Sequence, residues 1–324
     1  MNPSSFSLRI GTRSSPMALF QTHLVVARLV AAHPFLRDKI ELRPMTTSGD
    51  QYVAGASSAT NVKGLFTKEL EVALTEGVID IAVHSLKDVA AHLPNGLQIS
   101  CVLRREEVRD ALLTPDGVRL GQLKKGARIG TSSPRRSVQL LTHCPDLVVL
   151  PLRGNVGTRL SKLEENFYDG LILSRAGLDR LSFEKPPPHV CLDPTIFVPS
   201  PGQGAIALET CKDREDLIPI LAPLHDVETG DSVLFERAFQ AAVDGSCQTP
   251  LGAWAESISN TQVRLHGFIG DLVSNVSVLD SIVMDRSAPK SVAENFGRHL
   301  RSLVETQTIS LTLGASQAKH ETDS

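Results

Sequence analysis

"RIGTRSSP" at residues 9–16 and "RIGTSSPRR" at residues 128–136 follow one local plan at two distant places in the chain. Each passes from an apolar strand end through Gly and Thr into Ser-Ser-Pro. Ser15 and Ser133 are placed to cap a helix, and Pro16 and Pro134 to occupy its first position, where a missing N–H costs nothing. A strand feeding a helix N-terminus leaves backbone N–H groups unpaired and a partial positive charge, to which Arg13, Arg135 and Arg136 add full charges. Each copy is the outline of an anion cradle. A single copy reads as readily as an ordinary Ser-Pro cap with solvated arginines; the recurrence favours the cradle.

The surrounding pattern supplies two units to hold the two copies. From the start, strand signals ("LRIGT", "IELRPM", "DIAVHS", "LQISCVL") alternate with helical ones ("PMALFQTHLVVARLVAAH", "LFTKELEVALTEG"), which predicts βαβ units and a mainly parallel sheet covered on both faces. After "LRREEVRDALLT" the theme restarts with "ARIGT", a helix from Pro134, "DLVVLPL", a helix from about Asn155 and "GLILSRAGL". The Pro/Gly-rich "VPSPGQGAIALE" marks a return to the first unit. The expected division is residues 1–103 with 204–222, residues 104–203, and a small α+β unit over 223–324. That last unit should hold a long helix ("SVLFERAFQAAV"), the turn "DGSCQTPLG", strands in "VRLHGFI" and "NVSVLDSIVM", a helix near 288–305, and a frayed polar tail after Gly314. Residues 46–62 are small, polar and glycine-dotted, as a lid or a disordered loop would be. Equivalent turns in two such units can face one another across a cleft at the carboxyl ends of the strands, where open α/β sheets bind ligands.

Bulk properties narrow the function. With 324 residues the chain exceeds one ordinary core, and its 41% apolar and 21% charged content is that of a soluble globular protein. No apolar run approaches a membrane span, and "MNPSSFS" leads directly into the first strand signal without room for a secretory leader. The five cysteines, at positions 101, 144, 191, 211 and 247, have no close pairs, so neither a disulfide framework nor a CxxC metal site is expected. A reducing, cytoplasmic compartment follows. The net charge of −3 argues against general nucleic-acid affinity, yet residues 104–203 carry 15 Lys and Arg against 11 Asp and Glu. Anions belong in the middle of the chain.

Within that frame, "DIAVHSLKDVA" at 80–90 carries an apolar strand into His84, Ser85, Lys87 and Asp88, polar groups at the end of a strand where ligands bind. "PLRGNVGTRLSKLEEN" sets Arg153 before an Asn155 cap and Arg159 one turn inside the helix. Arg175 and Arg180 follow the next strand. Arginine's planar fork matches carboxylate or phosphate, so arginines at successive strand-to-helix junctions suit a ligand with several acidic groups. Any one of them alone reads as a solvated face. Cys247 sits in a Gly/Ser/Pro turn, a better setting for a reactive thiol than those of Cys101 or Cys211, although most free cysteines are buried hydrophobes. No dinucleotide fingerprint, P-loop or HExxH motif is present.

Taken in order, "IGTRSSPMALFQ", "KGLFTKELE", "IDIAVHSLKD", "GTSSPRR", "LRGNVGTRL", "AGLDRL", "PGQGA" and "GSCQTPLGA" resemble the porphobilinogen deaminases, also called hydroxymethylbilane synthases, across residues 8 to about 255. The resemblance implies two α/β domains related to periplasmic binding proteins and a third domain whose cysteine, here Cys247, forms a thioether to a dipyrromethane cofactor. It implies a transferase of porphyrin and heme biosynthesis that condenses four porphobilinogen molecules, with loss of ammonia, and hydrolyses the product from the cofactor as hydroxymethylbilane, without a metal. Asp88 matches the catalytic aspartate. Lys63, Ser85, Lys87, Ser133, Arg135, Arg136, Arg159 and Arg180 match cofactor contacts; Arg13, Ser15, Gln21, Arg153 and Gln203 match substrate contacts. Each pyrrole carries an acetate and a propionate, so the growing chain is a string of dicarboxylates. A monomer is implied, as is a hand-off to uroporphyrinogen-III synthase, with no nucleic-acid or membrane partner. Pro134 stands where many relatives carry an apolar residue, and "GSC" where "GGC" is common. Two rivals remain: a non-enzymatic anion-binding module, which would carry no covalent group, and a nucleic-acid binder, for which 4% aromatic residues offer few stacking platforms.

Overall fold

In the computed structural model, which describes residues 7–53, 64–181, 187–243 and 249–322, both cradles fold as their spacing predicts. Strand β1 (Leu8–Arg13) feeds helix α1 (Pro16–Ala32), whose cap Ser15 accepts from the Ala18 N–H. The same arrangement recurs later: β6 (Arg128–Gly130) leads to α4 (Pro134–His143), with Ser133 Oγ accepting from the Arg136 N–H.

Strands β1, β2 (Ile40–Met45), β3 (Ile81–Ser85), β4 (Leu97–Val102) and the distant β10 (Ile206–Cys211) form one sheet in the order β2-β1-β3-β10-β4. Strands β5 (Asp110–Leu113), β6, β7 (Val148–Leu150), β8 (Gly170–Ser174) and β9 (His189–Cys191) form a second, in the order β7-β6-β8-β5-β9. The two orders are one plan used twice. In each sheet a single strand runs against the rest, β10 in the first and β5 in the second, and each is the strand that follows a passage of the chain between units. Each sheet is of the largely parallel α/β kind, as the alternation of strand and helix signals predicts. Helices α2 (Ser48–Val53) and α3 (Lys68–Thr75) lie between β2 and β3 in the chain, α5 (Val156–Glu164) and α6 (Arg175–Arg180) flank β8, and the short α7 (Ile218–Leu221) follows β10. Leu8, Ile10, Val25, Leu29, Ile81 and Leu208 form the heart of the first core, and Ile129, Leu140, Ile172 and Phe197 that of one face of the second.

The two passages between units run side by side: Leu103 N–H donates to Ile206 O at 3.0 Å and Glu106 N–H to Gly204 O at 3.3 Å. Gly204 has φ +87°, and a Cβ there would lie 2.8 Å from the Glu106 carbonyl oxygen. Only glycine permits this approach.

The third unit is an antiparallel sheet of β11 (Leu251–Ser257), β12 (Gln262–Gly270) and β13 (Ser277–Asp285), packed on α8 (Val227–Ala242) and α9 (Ser291–Thr322). Phe235 and Phe239 of α8, Leu265 of β12, and Phe296 and Leu300 of α9 fill its core. Three sequence expectations need correction. "LGAWAES" is a strand rather than the tail of a turn: its small residues carry little strand propensity, and it is held by full pairing with β12. The last helix does not end near residue 305 or fray after Gly314 but continues to Thr322, because Ala, Gln, Lys and Glu in that stretch are good helix formers and one glycine costs only about 1 kcal/mol. The segment 46–62 is not loop throughout: 48–53 is α2, whose start is held by Ser48 N–H and Oγ on Glu69 and by Thr47 on Asp50.

Glu236 joins the third unit to the passages. Fully buried on α8, its carboxylate takes Arg105 Nη1 at 2.5 Å and Nη2 at 3.0 Å, the Gly202 N–H at 2.7 Å and the Ala255 N–H at 2.9 Å. Removing one partner of a buried, hydrogen-bonded ion pair costs about 3–5 kcal/mol. Glu236→Gln is therefore expected to lower the unfolding free energy read from the first denaturant transition by that order, and an unchanged midpoint would show that Arg105 does not depend on this carboxylate.

Candidate active site in a cation-rich cleft

The end of β3 opens the site. Beyond Ser85, a single 3-10 turn (Leu86–Asp88) buries Leu86 and leaves Lys87 and Asp88 half-buried. Ser85 Oγ exchanges hydrogen bonds with the side-chain amide of Gln21, on α1, at 2.8 and 3.0 Å. Arg13, at the end of β1, lies 3.6 Å through Nη1 from Asp88 Oδ2 while its Nη2 holds Asp50 Oδ1 at 2.5 Å and its guanidinium covers the Phe66 ring. The first cradle thus already holds a carboxylate, that of Asp50, which is kept below the usual range: burial works to raise it, and Arg13 and Thr47 overcome that.

The second unit supplies the opposite side. Arg135 and Arg136 are both buried against Asp110, the first residue of β5, with Arg135 Nη2 at 2.7 Å from Oδ2 and Arg136 Nη2 at 2.6 Å from Oδ1. Arg135 Nη1 also donates to the Val198 carbonyl and Arg136 Nη1 to the Ile172 carbonyl. Burial alone would raise the Asp110 carboxyl, but the two guanidiniums hold it well below the ordinary range. Gln203 closes the cluster by donating through Nε2 to Asp110 Oδ1 at 3.1 Å and to Val108 O. Its Oε1 is buried and has no hydrogen-bond partner among the described residues.

Contacts and charge couplings bring the sides together. Lys87 Nζ reaches Ser174 Oγ at 3.4 Å, at the end of β8. Arg180 donates to Glu106 at 2.8 Å and to the Gly204 carbonyl, and it also feels the charge of Asp88. Burial pushes the Lys87 ammonium down to about 8; Asp88 opposes this and Arg136 adds to it. Arg159, which donates through Nε to Gly154 O, is likewise pushed down by burial and then by Arg136, and no carboxylate among the described residues pairs with it. Cations here exceed the carboxylates that could neutralise them, so the site is short of negative charge.

Not every expected residue lies in this cluster. Arg153 is exposed just ahead of the Asn155 cap of α5, and the hydroxyls of Ser15 and Ser133 accept from helix N–H groups. His84, which the sequence groups with Lys87 and Asp88, is buried against Glu209 instead. Lys63 and Cys247 lie outside the described residues. Of the other thiols, burial pushes Cys101 up to about 12 and also raises Cys211. Sequence reading missed the carboxylates Asp110, Asp50, Glu236 and Glu209. A charged residue opening or interrupting an apolar strand, as in "DALL" and "IALETC", was the available signal.

The fold and the site define a two-sheet α/β protein with an aspartate set among cations. Comparisons specify it further. The family model "Porphobilinogen deaminase, dipyromethane cofactor binding domain" matches residues 8–219, and "Porphobilinogen deaminase, C-terminal domain" matches 231–304. The porphobilinogen deaminase of Syntrophotalea carbinolica is 43% identical over 299 residues, covering 92% of each chain, and that of Bacillus pumilus is 40% identical over 276 residues, covering 85% of this chain and 88% of its own. Among solved structures, the probable amino-acid ABC transporter extracellular-binding protein ytmK from Bacillus subtilis is 12% identical with a TM-score of 0.42, covering 67% of this chain and 89% of its own, a loose likeness from which nothing about ligands follows. The chain belongs to the porphobilinogen deaminase family, transferases that build hydroxymethylbilane from porphobilinogen on a dipyrromethane cofactor.

The low Lys87 value has a measurable sign. Above pH about 8 the free ammonium loses its proton, whereas a bound carboxylate would raise its pKa again, so binding above that pH takes up a proton. Uptake of the dipyrromethane by cofactor-free protein is expected to weaken above pH about 8, by up to about tenfold per pH unit, and Lys87→Arg to flatten the fall; a flat parent profile would count against Lys87 facing the cofactor's carboxylates.

Proposed function

We propose that the family's reaction is carried in this chain by Asp88, set between a carboxylate-binding cation cluster and a tethered cofactor. The division of labour follows three units: residues 1–103 with 204–222 bring Asp88, 104–203 bring the arginines, and 223–324 bring Cys247. The observation that carries the reading is the surplus, among the described residues, of buried and half-buried cations near Asp88. Lys87 and Arg159 are pushed down chiefly by burial, as groups awaiting a polyanion would be.

The residues present suit a dipyrromethane. Its acetates and propionates would meet Arg135, Arg136, Arg159, Arg180 and Lys87, with Ser85, Ser133 and Lys63 completing the shell, and pyrrole N–H donors match the acceptors Asp88 and the unpartnered Gln203 Oε1. The matched cofactor-binding model spans 8–219, so attachment through a thioether at Cys247 rests on the "GSCQTPLGA" motif. When bound, the cofactor would supply the free α-carbon at which the first condensation takes place.

Arg13, Arg153, Ser15, Gln21 and Gln203 bind and orient porphobilinogen. For Arg13 this requires exchanging the Asp50 carboxylate for one of the substrate's. Asp88 accepts N–H groups, stabilises positive charge as it develops on pyrrole nitrogen, and moves the protons that accompany loss of ammonia. Burial of the cluster strengthens each charge–charge term relative to water.

The protein is further proposed to work as a cytoplasmic monomer and to pass its product to uroporphyrinogen-III synthase; scattered free thiols support the compartment, and the family's pathway supports the hand-off. No helix among the described residues is long and apolar enough to cross a membrane.

Asp88→Asn is expected to lower turnover by at least ~100-fold with the cofactor still attached, and near-parental turnover would remove Asp88 from the role. Intact mass tests the tether: the purified protein should exceed its sequence mass by one dipyrromethane, and Cys247→Ser should abolish the excess. A parent protein at bare sequence mass would favour a non-covalent anion-binding module.

A further inference from the structure

His84 is the one polar residue of "HSLKD" with no place in the cleft. Its Nε2 sits 3.0 Å from Glu209 Oε2, with both side chains almost fully buried between β3 and β10. The carboxylate of Glu209 has its other oxygen buried and without a hydrogen-bond partner among the described residues. Its charge acts in turn on Arg237, which lies on α8 in the third unit. The Arg237 guanidinium donates to the carbonyls of Val89 at 3.4 Å, Ala90 at 2.8 Å and Ala91 at 3.3 Å, the three residues immediately after Asp88.

The turn bearing Lys87 and Asp88 is thus gripped on both sides. His84, two residues before it, is fixed to Glu209, and the backbone directly after it is fixed to Arg237. Glu209 holds the first anchor by contact and acts on the second through its charge. Asp88 is half-exposed, and among the described residues its side chain makes one long contact, with Arg13. The second anchor comes from α8, the helix that ends at Ala242 and leads toward residue 247.

We infer that Arg237 is a positioning residue for Asp88, supported by the Glu209–His84 pair, so that the unit expected to carry the cofactor also sets the position of the aspartate acting on it. This rests on the proposed role of Asp88. A lysine at 237 keeps the charge facing Glu209 but cannot span three successive carbonyls, because its donors sit on one nitrogen rather than on a planar fork. A displacement near 1 Å at a reacting group is enough to cost about 100-fold in rate.

The test compares cofactor-loaded enzyme, with loading confirmed by intact mass. Arg237→Lys is expected to lower kcat per loaded molecule by at least ~10-fold with KM within about twofold, and Arg237→Lys in an Asp88→Asn background to lower it no further. Non-additivity of this kind separates positioning from a general loss of structure, which would reduce loading or would add to the Asp88→Asn loss. A kcat within about twofold of the parent, or full additivity, overturns the inference. Should Arg237→Lys not fold, Glu209→Gln, which keeps the shape and removes the charge, takes its place with the same expected pattern and the same overturning results. An active Asp88→Asn enzyme would instead refute the role of Asp88 itself, so the two failures are distinguishable.

Discussion

A guanidinium taken out of water must be given a counter-charge, and in this protein the need is met in the second unit by Asp110. Arg135 and Arg136 arise from consecutive positions in the first turn of α4, and one carboxylate at the head of β5 accepts from both. Two cations on one anion leave a net positive charge, to which Lys87 and Arg159 add without a salt-bridged carboxylate among the described residues. The arrangement is stable enough to fold and still favours an incoming polyanion. Had each cation been matched by its own acid, the cleft would hold no electrostatic preference for one.

Carboxylates also decide how the units are joined. Glu236 binds the passage at Arg105 and Gly202 to α8 and β11; Glu209 links the two central strands of the first sheet and acts on an arginine of the third unit; Asp50 occupies the first cradle. Each is an acid holding arginine or histidine from another element. Such pairs tolerate little displacement, because their attraction offsets the cost of desolvation only while the hydrogen bonds remain intact. The family's chemistry, which extends one chain repeatedly in one place, calls for an aspartate that stays put while the ligand grows, and the anchored turn around Asp88 meets that requirement.

The likeness of the two sheets gives the repeated phrase at residues 9–16 and 128–136 its meaning. Both copies lie at corresponding strand-to-helix turns of corresponding sheets, and the chain passes between the units twice. Gly204 is needed where the passages touch. Their different occupancies, Asp50 on Arg13 and Asp110 on Arg135 and Arg136, show that equivalent turns have taken up different internal acids. The first is a half-buried contact made by a short helix, and the second is sealed within the sheet.

Local sequence determined a good deal by itself. Caps at Ser15, Ser133 and Asn155, prolines at first helical positions, the alternation of strands and helices, and the candidate cations were all legible, because capping, periodicity and residue charge act over a few neighbouring positions. The order of strands, the antiparallel placement of β5 and β10, the pairing that makes a strand of "LGAWAES", and the acids that claim each arginine were decided only in the tertiary structure. Those features depend on groups far apart in the chain: Asp110 meets Arg136 across 26 positions and His84 meets Glu209 across 125. A residue's type shows that it needs a partner, but only the folded chain brings that partner within hydrogen-bonding reach.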